Sequence, residues 1–108
     1  MAAKIEVCED KLIVFLSGEI DHHSAAQIRQ EADERIGQLH PKEVELNFKD
    51  VSFMDSSGIG LIMGRYRLAS SFGGRVCISN VSAYLRRVMR LAGIDSIIEI
   101  KDTEEEHK

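Results

Sequence analysis

The sequence has no tryptophan, a single proline and only two cysteines in 108 residues, and aromatic residues make up 6%. Scarce proline excludes collagen-like and Pro-rich chains, and the apolar content of 44% excludes a disordered one. Cys8 and Cys77 lie far apart, each inside a predicted strand. Two isolated cysteines build neither a disulfide scaffold nor a zinc site, so both are expected to act as small buried hydrophobes in a reducing compartment. The longest apolar run, Leu12–Leu16, falls far short of the ~20 residues of a membrane helix. The N-terminus turns charged and alternating too soon for a secretory signal, which points to the cytoplasm.

Net charge is −4, unevenly spread. Residues 1–64 are acidic overall. Residues 65–90 hold Arg65, Arg67, Arg75, Arg86, Arg87 and Arg90 with no acid, and acid returns after them. Separated fields of this kind orient a charged protein partner. The acidic balance and the few aromatics argue against nucleic acid, so most of these arginines are expected on the wet faces of helices.

Alternation at Lys4–Cys8 and the β-rich Lys11–Ser17 around Glu9-Asp10 predict a hairpin. A helix follows. Ser24-Ala-Ala-Gln27 matches a capping box, with Asp21 as a competing cap, and Ile28, Ala32, Ile36 and Leu39 share its apolar face until His40-Pro41 stops it. Val44, Leu46 and Phe48 mark a third strand. A second helix carries Ile59, Ile62, Met63, Tyr66 and Ala69 inward and stops at Gly73-Gly74. Arg75–Ser79 is a fourth strand. Ser82 caps a third helix with Leu85, Val88, Met89 and Ala92 inward, closed by Gly93. Ile97–Ile100 is a short fifth strand. The expectation is one α/β domain over residues 1–100, ordered β-β-α-β-α-β-α-β on a mixed, mostly parallel sheet, with a charged tail at 101–108.

The informative segment is Phe53-Met-Asp-Ser-Ser-Gly-Ile-Gly60, which leads from a strand into a helix. Sites in α/β sheets form at this edge. Asp55 is a natural N-cap, which puts Ser56 and Ser57 in the first turn, where free amides and the helix dipole tolerate an anion. Gly58 and Gly60 cost helix stability, about 1 kcal/mol each relative to alanine. Close approach of a partner or tight internal packing would each justify them. The segment is not a Gly-x-Ser-x-Gly elbow, and it lacks the lysine and spacing of a phosphate-cradling loop. His22 and His23 have no partner at metal-ligand spacing, so no metal or cofactor is expected. A serine acting as substrate remains. A phosphate there would add about −1.5 to −2 charges beside Asp55 and near Asp21, and would alter binding rather than folding.

Gly18-Glu-Ile-Asp-His-His23 and Leu46-Asn-Phe-x-x-Val-Ser-Phe-Met-Asp-Ser-Ser-Gly-Ile-Gly-x-Ile-x-Gly-Arg-Tyr66 resemble bacterial anti-sigma factor antagonists of the STAS domain class. The Asp-His-His element narrows the resemblance toward the sporulation branch. The resemblance implies a protein that is not an enzyme. Unphosphorylated, it binds an anti-sigma factor with serine kinase activity and so frees the sigma factor. Phosphorylation stops the binding, and a metal-dependent serine phosphatase restores it. By this resemblance the phosphoacceptor falls on Ser56. The partner-facing surface falls on Asp21 with the adjoining His22 and Ser24, and on Asp55, Ser57, Gly58, Ile59 and Gly60. No cofactor, nucleic acid or membrane enters this scheme. The alternatives are an antagonist in a general stress-response circuit and a small nucleotide-binding enzyme.

Overall fold

The computed structural model describes residues 3–101. Strands β1 (Ala3–Cys8) and β2 (Lys11–Ile20) form the expected antiparallel hairpin, with Cys8 opposite Lys11 and Ala3 opposite Leu16. The chain continues through α1 (His22–Leu39), β3 (Glu43–Met54), α2 (Ser56–Ser71), β4 (Arg75–Ser79) and α3 (Ala83–Leu91). A 3-10 turn at Ile94–Ser96 then leads into β5 (Glu99–Lys101). The five strands lie side by side in chain order, antiparallel between β1 and β2 and parallel thereafter. Every parallel crossover steps the same way, so right-handed connections carry the three helices to one face. The expected order and mixed sheet are both observed.

A continuous core forms between that face and the helices. Leu12, Val14 and Leu16 of β2 and Val44, Leu46 and Phe48 of β3 meet Ile28 and Ile36 of α1, Ile62 of α2, and Leu85 and Met89 of α3. Burying each such side chain contributes about 1.5–3 kcal/mol. On the opposite face, register puts Lys11, Glu43, Glu45, Cys77, Ser79 and Lys101 together. They satisfy one another. Lys11 reaches Glu45 at 2.7 Å, Ser79 donates to Glu45, and Cys77 and Lys101 both donate to Glu43.

The structure departs from the sequence reading at several ends. β2 runs on past Gly18 to Ile20, and β3 runs on to Met54. Gly18 adopts φ +77°, beside register slips at Phe15/Ser17 and Gly18/Glu19, a conformation that favours glycine. Beyond the slips, Glu19 pairs with Phe53 and Ile20 with Met54. Leu39 is exposed rather than inward, because His40 ends the helix in the left-handed conformation. Ala92 is exposed too, since α3 has already ended at Leu91. Cys8 is exposed near the hairpin turn, so only Cys77 behaves as a buried hydrophobe. The fifth strand starts later than expected, because Ile94–Ser96 winds into the 3-10 turn first. All but the first residue of the tail expected at 101–108 lies outside the described residues.

Candidate functional site

The long pairing of β2 with β3 brings two helix starts together. Ile20 and Met54 are register partners, and each is followed by an aspartate that caps a helix. The Asp55 amide donates to the Ile20 carbonyl at 3.2 Å, tying one corner to the other. The sequence spread these residues over two distant segments, and the sheet delivers both to its C-terminal edge.

At the first corner the cap is Asp21. Its carboxylate accepts from the Ser24 amide at 2.9 Å, and Ser24 Oγ accepts from the Asp21 amide at 3.0 Å, closing a capping box. Ser24 is therefore the third residue of the helix and not its cap, as its spacing to Gln27 had suggested. Its hydroxyl proton goes to the Glu19 carbonyl at 3.0 Å. The Ser24 amide is the main cause holding the Asp21 carboxyl below its ordinary value. His22 is exposed beside it.

At the second corner Asp55 caps α2 as expected, and its carboxylate accepts from the Ser57 amide at 2.8 Å. Ser56 is the first helical residue and is exposed, while Ser57 is half-buried. Gly58 is buried against Met54, where a Cβ would overlap the Met54 side chain. Its bareness serves packing, and Ile59 is likewise half-buried against the core. Gly60 differs: it is exposed, and a Cβ there would meet open space.

A groove of about 300 Å³ runs between the two helix starts. Its walls are His22, Ala25, Ala26 and Arg29 of α1 and Ser57, Gly60, Leu61 and Arg65 of α2. Arg65 is an exception to the expectation that most of the arginines lie on wet helix faces. It is 5% exposed. Its Nε lies 2.8 Å from Asp33 of α1, and its Nη1 donates to the Leu61 carbonyl at 3.3 Å. Burial lowers the Arg65 pKa, Asp33 opposes that shift, and the neighbouring Arg29 adds to it. The sequence signals for Arg65 are its place in the Leu61–Arg65–Ala69 spacing and in the Gly-Arg-Tyr66 end of the run that carries the resemblance. A larger cleft of about 760 Å³ lies between the hairpin and α1, and no residue of the two helix starts lines it.

Among the described residues no group of three or more His, Cys, Asp and Glu side chains is placed to hold a metal ion. No described helix is long and apolar enough to cross a membrane. The edge presents an exposed hydroxyl, a small-residue groove and two aspartates committed to caps, an arrangement suited to docking and to receiving a modification.

Comparison with known proteins bears on the family and the fold. Residues 2–107 match the model of a family described as the STAS domain. The anti-sigma F factor antagonist of Paenibacillus polymyxa is 40% identical over 93 residues, covering 86% of this chain and 80% of that protein. The anti-sigma-B factor antagonist of Bacillus subtilis is 34% identical over 94 residues, covering 85% and 83%. Among solved structures, the anti-sigma factor antagonist SpoIIAA in its unphosphorylated form superposes with a TM-score of 0.82 at 35% identity, covering 96% of this chain and 91% of that one. The phosphorylated form of the Bacillus cell fate determinant SpoIIAA gives 0.75 at 35% identity, covering 96% and 95%.

Proposed function

The chain belongs to the STAS domain family, and from that premise we propose that it is an anti-sigma factor antagonist switched by phosphorylation of Ser56. The carrying observation is the contrast between the two serines: Ser56 is exposed at the first position of α2, while Ser57 is half-buried in the groove and its amide is held by Asp55. The Ser56 hydroxyl is the more open of the two to a kinase. Relatives named as anti-sigma factor antagonists, and a relative solved both with and without phosphate, support the reading.

In this scheme the unmodified edge docks on an anti-sigma factor that is also a serine kinase, through Asp21, His22, Ser24, Asp55, Ser57 and Gly60. Gly58 and Ile59 shape the surface from beneath. The sigma factor is released. Transfer to Ser56 then adds about −1.5 to −2 charges beside the Asp55 carboxylate. The start of α2 stabilises the phosphate locally, so the fold persists, while bulk and like charge expel the partner. A metal-dependent serine phosphatase returns the hydroxyl. The domain spans residues 1–100, does no chemistry of its own and works in the cytoplasm. The circuit is the sporulation one, favoured by Asp21-His22-His23 and by the 40% identity to an anti-sigma F factor antagonist against 34% to an anti-sigma-B one.

The test is to mix the chain with an anti-sigma F factor kinase and ATP. One phosphate is expected, mapped to Ser56 and absent in Ser56→Ala. Ser56→Asp is expected to weaken the complex at least ~tenfold, about 1.4 kcal/mol, with the melting temperature nearly unchanged. Phosphate found solely on Ser57, or an undiminished Ser56→Asp complex, would sink the proposal.

A further inference from the structure

Resting on that reading, we propose that the groove between α1 and α2 is an anchor pocket for one carboxylate side chain, aspartate or glutamate, of the anti-sigma factor, and that Arg29 is the residue that pairs with it. The groove adjoins the serine corner through Ser57 and Gly60, so a partner docked on the edge covers it. Its walls carry Arg29, Arg65 and His22 and no acidic residue.

Asp21 and Asp55 lie outside the groove lining, their charged carboxylates accepting from the Ser24 and Ser57 amides, and Asp33 accepts from Arg65 Nη2 at 3.3 Å with its other oxygen 2.8 Å from Nε. Arg65 is therefore balanced. Arg29 is exposed and forms no ion pair among the described residues, and its charge bears on Arg65. The starts of two helices add positive potential on the same side. A site with Arg29 outside any ion pair, lined otherwise by His22, Ser57, the Asp33-paired Arg65, alanine, glycine and leucine, fits a short stem ending in an anion.

Gly60 gives the groove its width. It sits inside a helix, where glycine costs about 1 kcal/mol relative to alanine, and nothing within the fold occupies the space a side chain would take. Packing does not require this glycine, whereas an entering partner side chain does.

The experiment measures binding of unmodified variants to the anti-sigma kinase by calorimetry at two salt concentrations. Arg29→Glu is expected to weaken binding by at least ~tenfold and flatten its salt dependence, while Arg29→Lys stays within about threefold. Gly60→Leu, whose Cβ meets open space and whose longer side chain projects into the groove, is expected to weaken binding comparably while melting close to the wild type. Arg29→Glu binding as tightly as the wild type would overturn the proposal, as would a Gly60→Leu variant of full affinity. Failure of the wild-type chain to bind at all would instead remove the antagonist reading on which it rests.

Discussion

The Met54 side chain occupies the space that a side chain on Gly58 would need, whereas two residues further along α2 the space beside Gly60 is empty. The sequence presents these glycines as a pair, and the structure separates their roles. Alanine at Gly58 must displace Met54, which is 2% exposed and closed in by the core. The expected cost is about 1–3 kcal/mol, as for other overpacked cores. Alanine at Gly60 removes backbone freedom from the unfolded chain and is expected to stabilise by up to about 1 kcal/mol. Urea unfolding of the two variants checks this, and equal effects would refute the division.

Most of the fold was legible because the relevant signals are local. Ser82 and Asp55 both cap helices as read, and the fourth strand read at Arg75–Ser79 has matching bounds. What failed depends on partners distant in the chain. Ser24 and Asp21 are both good caps within three residues of each other, and the reciprocal bonds between them make Asp21 the cap and Ser24 the third helical residue, which spacing alone does not decide. β3 extends over Asp50-Val-Ser-Phe-Met54 only because β2 passes its register slips and supplies pairing partners. At the site, Ser56 and Ser57 look alike in sequence. Their difference is a groove wall built by α1, which no pattern within α2 reveals.

The polar cluster on the open sheet face makes stability depend on acid. The Cys77 thiol is the main cause keeping the Glu43 carboxyl below its ordinary value, with Lys101 and Lys11 adding to it. Burial alone would raise Glu45, but the hydrogen bonds from Lys11 and Ser79 outweigh it, and its net shift is also downward. A carboxyl depressed in the folded state contributes stability in full above its unfolded value, near 4.5 for these groups. That contribution is lost as pH falls through the lower folded value. Unfolding free energy is therefore expected to hold from pH 7 to about 5 and then fall. Glu45→Gln should shallow the acid limb. A profile unchanged by this substitution down to pH 3 would contradict the assignment.

The two thiols should separate cleanly in alkylation. Cys8 is exposed, while Cys77 is buried, and burial together with Glu43 pushes its thiol up to about 12. The thiolate is the reactive form, so Cys77 is protected both by access and by ionisation. Iodoacetamide at pH 8 is expected to add one label, on Cys8, to the native chain and a second only after denaturation. Rapid native labelling of Cys77 would mean that the sheet face opens readily.

Arg65 of α2 pairs with Asp33 of α1 across the two helices that form the groove. Replacing Arg65 by methionine keeps most of the stem's packing but leaves the Asp33 carboxylate facing an apolar wall. Breaking a fully buried pair costs about 3–5 kcal/mol. Asp33 keeps 36% side-chain exposure, so water recovers part of that, and the expected loss is smaller, about 1–3 kcal/mol. Replacing both residues, Arg65→Met with Asp33→Leu, removes the stranded charge and should recover much of the stability. Chemical denaturation of the single and double variants gives the coupling between them. If the pair also holds the groove at its width, the double variant should fold well yet bind the anti-sigma factor less tightly than the wild type. Recovery of stability together with full affinity would confine the pair to a structural role.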